Sequence, residues 1–296
     1  MYPTPYLKNT KSNMIETLLD LLQYRFFSNA LLAAFFASIA CGIIGTYIVS
    51  RRIVFISGGI THASFGGIGI SYYYSFDPIA GAAVFAVLSA LGIQFMKEKT
   101  QVREDSLIGI LWSLGMAVGI IFVFITPGYA PDLMGYLFGS IMTVSGSDLT
   151  VMGILTFVIA LFFILFYKPV LFISFDQEYA KTHRAPVKLM NFILITLVAL
   201  TVVLSIKVAG VILVLSLLTI PQTTANIFSH NFRNIMLFSI LVAFAGCFAG
   251  LLISFELNIP SGASIIFSLI VIFIIAKLFD IITTHIKIVK SIKNNN

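Results

Sequence analysis

Apolar stretches of bilayer length recur along this chain, and they constrain its fold more than any other feature. Ten can be marked, at 27–50, 57–74, 78–96, 106–126, 132–145, 148–167, 187–206, 208–228, 234–255 and 262–282. A helix needs roughly 20 mostly apolar residues to cross a hydrocarbon core of about 30 Å, and nine of the ten are long enough. The exception, 132–145, contains Gly135 and Gly139 and would extend only about 21 Å as a helix. Composition excludes a water-soluble alternative. The sequence is 59% apolar and 10% charged, against about 45–50% and about 25% in soluble domains. Within lipid every backbone polar group must be satisfied by the segment itself or a closed barrel, and runs of this length satisfy themselves as helices. The expected fold class is therefore all-α, a polytopic transmembrane helical bundle of about nine spans plus one short or re-entrant helix.

Basic residues supply the topology, because cytoplasmic loops collect Lys and Arg. If Arg51 and Arg52 are inside, Lys97, Lys99 and Arg103 return inside after two further crossings. The cluster Lys168, Lys181, Arg184 and Lys188 then falls inside only if 132–145 and 148–167 together make one net crossing. Arg233, Lys287, Lys290 and Lys293 follow, so that thirteen of the eighteen basic residues are cytoplasmic. Charge and length agree that 132–145 does not span.

The sequence divides into an N-terminal interfacial segment at 1–26, a transmembrane domain at 27–284 and a basic cytoplasmic tail at 285–296. Met14, Ile15, Leu18, Leu19, Leu21 and Leu22 suggest an amphipathic helix on the membrane surface, and the order of a cleaved signal is not present in this segment. The net charge of +6 is scattered in short clusters between apolar runs, which gives no stripe for nucleic acid. Cys41 and Cys247 each lie inside an apolar run without a C-x-x-C partner, and read as small buried residues.

Three places invite a functional reading. Residues 57–69, S-G-G-I-T-H-A-S-F-G-G-I-G, put five glycines into one membrane helix. Such a surface lets a neighbouring backbone come close, and packing alone would explain it. The same stretch holds His62, and an ionisable side chain at membrane depth is a functional candidate whose imidazole suits zinc and other first-row metals. A structural imidazole, satisfied by Thr61 or a neighbouring carbonyl, is the plainer alternative. Asp77, Asp132 and Glu256 fall at predicted external loops or span ends, either as a vestibule that attracts cations or as ordinary solvated acids.

The third place is 168–186, the longest hydrophilic stretch between spans, which opens on the helix-breaking Pro169 and closes on Pro186. Within it 176–183 predicts a short surface helix capped by Ser174 or Asp176. It reads as a charged loop or as a docking helix for a cytosolic subunit. No lysine in the chain follows a glycine, so the phosphate-cradling G-x-x-x-x-G-K loop is missing and any ATP hydrolysis belongs to another polypeptide. His183, His230 and His285 lack H-E-x-x-H spacing, and no G-x-S-x-G elbow occurs. Neither pattern of intramembrane hydrolase chemistry is therefore present.

From about Asn29 to Asp280 the chain resembles the ABC-3 family, the permeases of ABC importers for zinc, manganese and iron. The resemblance rests on C-G-I-I-G-T-Y-I-V-S-R-R (41–52), D-L-M-G-Y-L-F-G-S-I-M-T-V-S (132–145), S-F-D-Q-E-Y-A (174–180), A-G-V-I-L-V-L-S-L-L-T-I-P-Q-T-T-A (209–225) and I-P-S-G-A-S-I-I (259–266). It implies a transmembrane permease subunit that is not itself an enzyme and works by alternating access. Its partners would be cytosolic ABC ATPase subunits, an extracytoplasmic metal-binding protein and a second permease copy in a homodimer, in the lipid of the bacterial inner membrane. The divalent ion is cargo, and no cofactor is expected to be bound stably. Phe175, Asp176, Glu178, Tyr179 and Ala180 would form the ATPase-coupling helix, and His62, Asp132 and Glu256 the translocation path, with His62 as metal ligand.

The chain departs from the family pattern at Gly58, four residues before His62, where members often carry Asp. An Asp-His pair on one helical face therefore does not carry over. Asn258 likewise stands where an acid is common before P-S-G. The competing expectations are a permease for iron chelates or cobalamin, which needs a wider cavity, and a stand-alone secondary transporter, which needs acids at the membrane centre. The spans hold almost none.

Overall fold

The computed structural model describes residues 23–127 and 141–294. The amphipathic helix expected near the N-terminus, Asp132 and most of 132–145 lie outside them. Within the described residues the structure is helical, with no strand: α1 (Arg25–Ser50), α2 (Val54–Tyr73), α3 (Pro78–Lys99), α4 (Glu104–Ile125), a 3-10 turn (Ile141–Thr143), α5 (Gly146–Leu165), α6 (Tyr167–Phe175), α7 (Gln177–Thr182), α8 (Val187–Leu217), α9 (Ile220–Phe228), α10 (Phe232–Leu257) and α11 (Ser261–Asn294). Among them α1, α3, α4, α5, α10, the first part of α8 (Val187–Ile206) and α11 as far as Lys287 are seven helices long and apolar enough to cross a membrane. The 20 residues of α2 match a span in length. The expected span at 208–228 is broken into the end of α8 and the separate α9.

Local sequence explains where these helices start, bend and stop. Asp77 caps α3 by accepting a hydrogen bond from the Ala80 amide at 2.8 Å, with Pro78 in the first position. Ser145 and Asp148 close a capping box at the head of α5. Pro169 does not break the chain as expected. It lies in the first turn of α6, where its missing N–H costs nothing, and the bend from α5 falls at Phe166. Gly210 kinks α8 with φ 72° and ψ 166°, a region essentially confined to glycine. Beyond it, the fully buried Gln222 of α9 donates to the carbonyls of Cys41 and Leu217 at 2.8 and 3.2 Å, pinning the broken segment to α1. The helix of α11 continues through 285–294, the segment read as a tail.

Polar and aromatic contacts sort the helix ends into two sides. Arg51, after α1, donates to the Ile173 carbonyl of α6 at 3.0 Å. Lys97 pairs with Glu104 across the α3–α4 junction, and Lys188 at the start of α8 lies 3.3 Å from Glu98. Phe232, which opens α10, lies 6.1 Å from Tyr167 and 6.2 Å from Phe175, ring to ring. All these junctions therefore share the end that carries the basic clusters. At the opposite end Asn29 Nδ2 donates to the Val144 carbonyl at 3.0 Å. α4 leaves the basic end and α5 returns to it, so the end of α4 and the start of α5 both lie away from the basic clusters.

The glycines of α2 are packing residues. A Cβ on Gly66 would lie 3.0 Å from the Gly115 carbonyl oxygen, one on Gly115 2.5 Å from the Ala63 oxygen and one on Gly119 2.6 Å from the Phe65 oxygen. On the other side a Cβ on Gly67 would run into the Gly81 backbone of α3 and lie 2.8 Å from Phe85 Cβ. α2 is thus wedged backbone to backbone between α3 and α4, which is what small residues permit in a membrane. Cys41 and Cys247 are buried and unpaired.

Candidate translocation path and docking end

From Ile56 to Gly69 every residue of α2 is buried except His62, which is half-buried. Its imidazole stacks on the indole of Trp112 in α4, with centroids 4.1 Å apart and planes inclined by 7°. Thr61 does not serve it: the Thr61 hydroxyl donates to the Ser57 carbonyl at 2.5 Å, and Ser64 donates to Thr61 at 2.6 Å. A stacked ring leaves its nitrogens at the edge, where a cation would meet them. One turn away, Gly58 is buried but not wedged, since a Cβ there would meet only Leu215 Cδ1, at an ordinary contact distance of 3.9 Å. Gly58 therefore differs from the wedged glycines around it. Packing against the nearest atoms does not require glycine there, since a Cβ would be accommodated.

Glu256 is exposed in the last turn of α10, beside Asn258, whose left-handed φ of 53° ends the helix. α10 packs on α1, α9 and α11, whereas α2 packs on α3, α4 and α8, so Glu256 and His62 stand on different parts of the bundle. Among the described residues no three His, Cys, Asp or Glu side chains converge as a metal-binding group.

The candidate docking end is more fully built. Asp176 is the cap of α7, accepting from the amides of Glu178 and Tyr179 at 2.9 and 3.1 Å. The other proposed cap, Ser174, donates instead to Val170 inside α6, at 2.7 Å. Phe175, the last residue of α6, and Tyr179 of α7 are exposed, at 64% and 47%, while Ala180 is fully buried, so that α7 keeps one face on the bundle and the α6–α7 junction offers two aromatic rings outward. Glu178 pairs with Lys181 at 2.7 Å on the exposed side. Sequence reasoning did not find the residues that hold α7 in place. Arg51, a topology signal and part of the 41–52 motif, bonds to the Gln177 amide of α7 when its oxygen faces the guanidinium, and that oxygen also accepts from Asn191; the juxtaposition spans 140 residues of sequence between Arg51 and Asn191, and no local pattern announces it.

Fold and site together define a polytopic α-helical membrane protein, with a stacked imidazole on its most tightly packed helix and a short capped helix displayed at its basic end. The chain belongs to the ABC 3 transport family, whose model matches residues 23–280. It is 43% identical over 253 residues to an uncharacterized membrane protein of Synechocystis, covering 86% of this chain and 90% of that one. It is also 33% identical over 270 residues to the manganese transport system membrane protein MntC of Halalkalibacterium halodurans, covering 91% and 92%. Among solved structures, PsaBC from Streptococcus pneumoniae in complex with Fab superposes with a TM-score of 0.80 at 30% identity, over 89% of this chain and 95% of that one.

Proposed function

We propose that this chain is the permease subunit of an ATP-driven importer of a divalent transition metal, with manganese as first candidate and zinc and iron as alternatives. The observation that carries the proposal is the likeness to a manganese transport system membrane protein over 91% of the chain. The geometry supports it at both ends of the task. α7, capped and with Tyr179 on its outer face beside the exposed Phe175 of α6, suits docking by a cytosolic ATPase pair, and the chain has no phosphate-cradling loop of its own. His62 offers one borderline nitrogen ligand at membrane depth, and a conducting route works best with weak sites that release the ion again. Strong capture then falls to an extracytoplasmic binding protein, with Asp132 and Glu256 adding negative charge at the outer entrance. A second copy completes the path, in a bacterial inner membrane, by alternating access.

The test is reconstitution of the chain with its ATPase and binding protein in proteoliposomes. ATP-dependent accumulation of radiolabelled manganese is expected, and is expected to disappear when residues 176–180 are scrambled. Stimulation of the ATPase that survives the scrambling would sink the docking role of α7.

A further inference from the structure

The geometry points to Arg51 as a positioning residue that ties the docking helix to the membrane helices on either side of it, so that displacement of α7 is passed to the α1–α2 junction. This rests on the docking reading of α7. With six residues, α7 is far too short to hold its shape alone. Asp176, with φ −148° and ψ 108°, interrupts the helix between α6 and α7, so a push on α7 is not carried along a continuous rod. Contacts from outside the segment must carry it.

The polar part of those contacts converges on one guanidinium. Arg51 Nη1 donates at 3.0 Å to the carbonyl of Ile173, one of the acceptors that the last turn of a helix leaves unpaired. With its amide oxygen turned toward the guanidinium, Gln177 accepts from Arg51 Nη2 at 2.8 Å and also from Asn191 Nδ2 at 3.1 Å. Asn191 is buried in α8, and the Arg51 guanidinium carbon lies 5.9 Å from the centre of the Tyr47 ring on α1. α1, α6, α7 and α8 are thus joined through two side-chain amides and one cation. The acceptors named here are neutral, so these bonds are charge-assisted without the loss of a second charge from water.

The other end of the tie gives it a consequence. Arg51 and Arg52, the latter with φ 58°, form the turn from α1 into α2, which begins two residues later at Val54. α2 carries His62 and is wedged against its neighbours without slack. Arg51 is therefore placed to move the helix of the candidate path whenever α7 is displaced. Lysine would not substitute, because an ammonium lacks the planar fork that spans two acceptors.

In the reconstituted transporter, Gln177→Ala and Arg51→Lys should leave ATPase stimulation in place while the manganese imported per ATP hydrolysed falls at least about fivefold, the lower range of coupling effects between sites. Gln177→Glu, which keeps an acceptor for the guanidinium, should retain the unsubstituted ratio. A second readout needs neither metal nor ATPase. Hydrogen exchange of the amides of 177–182 in the detergent-solubilised chain should accelerate about fivefold or more in Gln177→Ala but not in Gln177→Glu. An unchanged import ratio, or uptake and ATPase stimulation falling in step, would overturn the tie as a coupling element. Unchanged exchange in Gln177→Ala would overturn it at the level of structure. An unsubstituted complex that hydrolyses ATP without importing manganese would count against manganese as cargo, and the exchange comparison would still decide the tie.

Discussion

The middle of α2 and the junction around α7 hold their functional side chains by opposite means. Around His62 the helix is fixed by shape, with glycine backbones meeting backbones of α3 and α4 and a flat stack on Trp112. Around α7 position is set by hydrogen bonds, from the Asp176 cap to the guanidinium–amide cluster of Arg51, Gln177 and Asn191. The difference follows from the solvent. At the membrane centre an unpaired polar group costs several kcal/mol, so rigidity comes from close packing and polar groups are few. At the aqueous end polar groups are cheap to place, and a six-residue helix depends on them. On the proposed reading the stiff element carries the path and the polar clamp receives the motion.

Substitutions can break this contrast, and the largest effect is expected where backbone meets backbone. Gly67→Leu would drive a side chain into Gly81 and Phe85. Overpacking of this kind costs about 1–3 kcal/mol or more, and the variant should lose several degrees of melting temperature in detergent or fail to give a monodisperse peak in size-exclusion chromatography. A melting curve like that of the unsubstituted protein would mean that α2 is not wedged. Gly58→Ala sharpens the same comparison from the other side. With its nearest neighbour at 3.9 Å, it should be accommodated and stabilise the helix by about 0.4–1 kcal/mol, read as a small rise in melting temperature. A fall would show that Gly58 is packed like its neighbours.

Much of this was legible in the sequence, because a bilayer imposes few and strong rules. Length and hydropathy marked the helices, and basic residues such as Arg51 and Lys188 marked the side on which each ends. The gap in that reading was tertiary. Nothing in S-G-G-I-T-H-A-S-F-G-G-I-G tells Gly58, where a Cβ would meet only Leu215 at an ordinary contact distance, from Gly67, which touches α3, since the distinction depends on which neighbour each glycine meets. Pro169 was read as a breaker because its type was considered without its place in the first turn of α6. Arg51 carries a legible charge, while its geometry, which joins residues 173 and 177 and through 177 reaches 191, exists only in the folded chain. Trp112, the single tryptophan of the sequence, gave no sign that it would stack on His62.

The division of labour between the two regions is tested most directly by His62→Ala in the reconstituted transporter, with metal uptake and ATPase activity measured in the same vesicles. Manganese and zinc uptake should both fall about tenfold or more, as expected when a metal loses a ligand, while ATPase stimulation persists because the docking end is untouched. Unchanged uptake of both metals would remove His62 from the path and contradict the account.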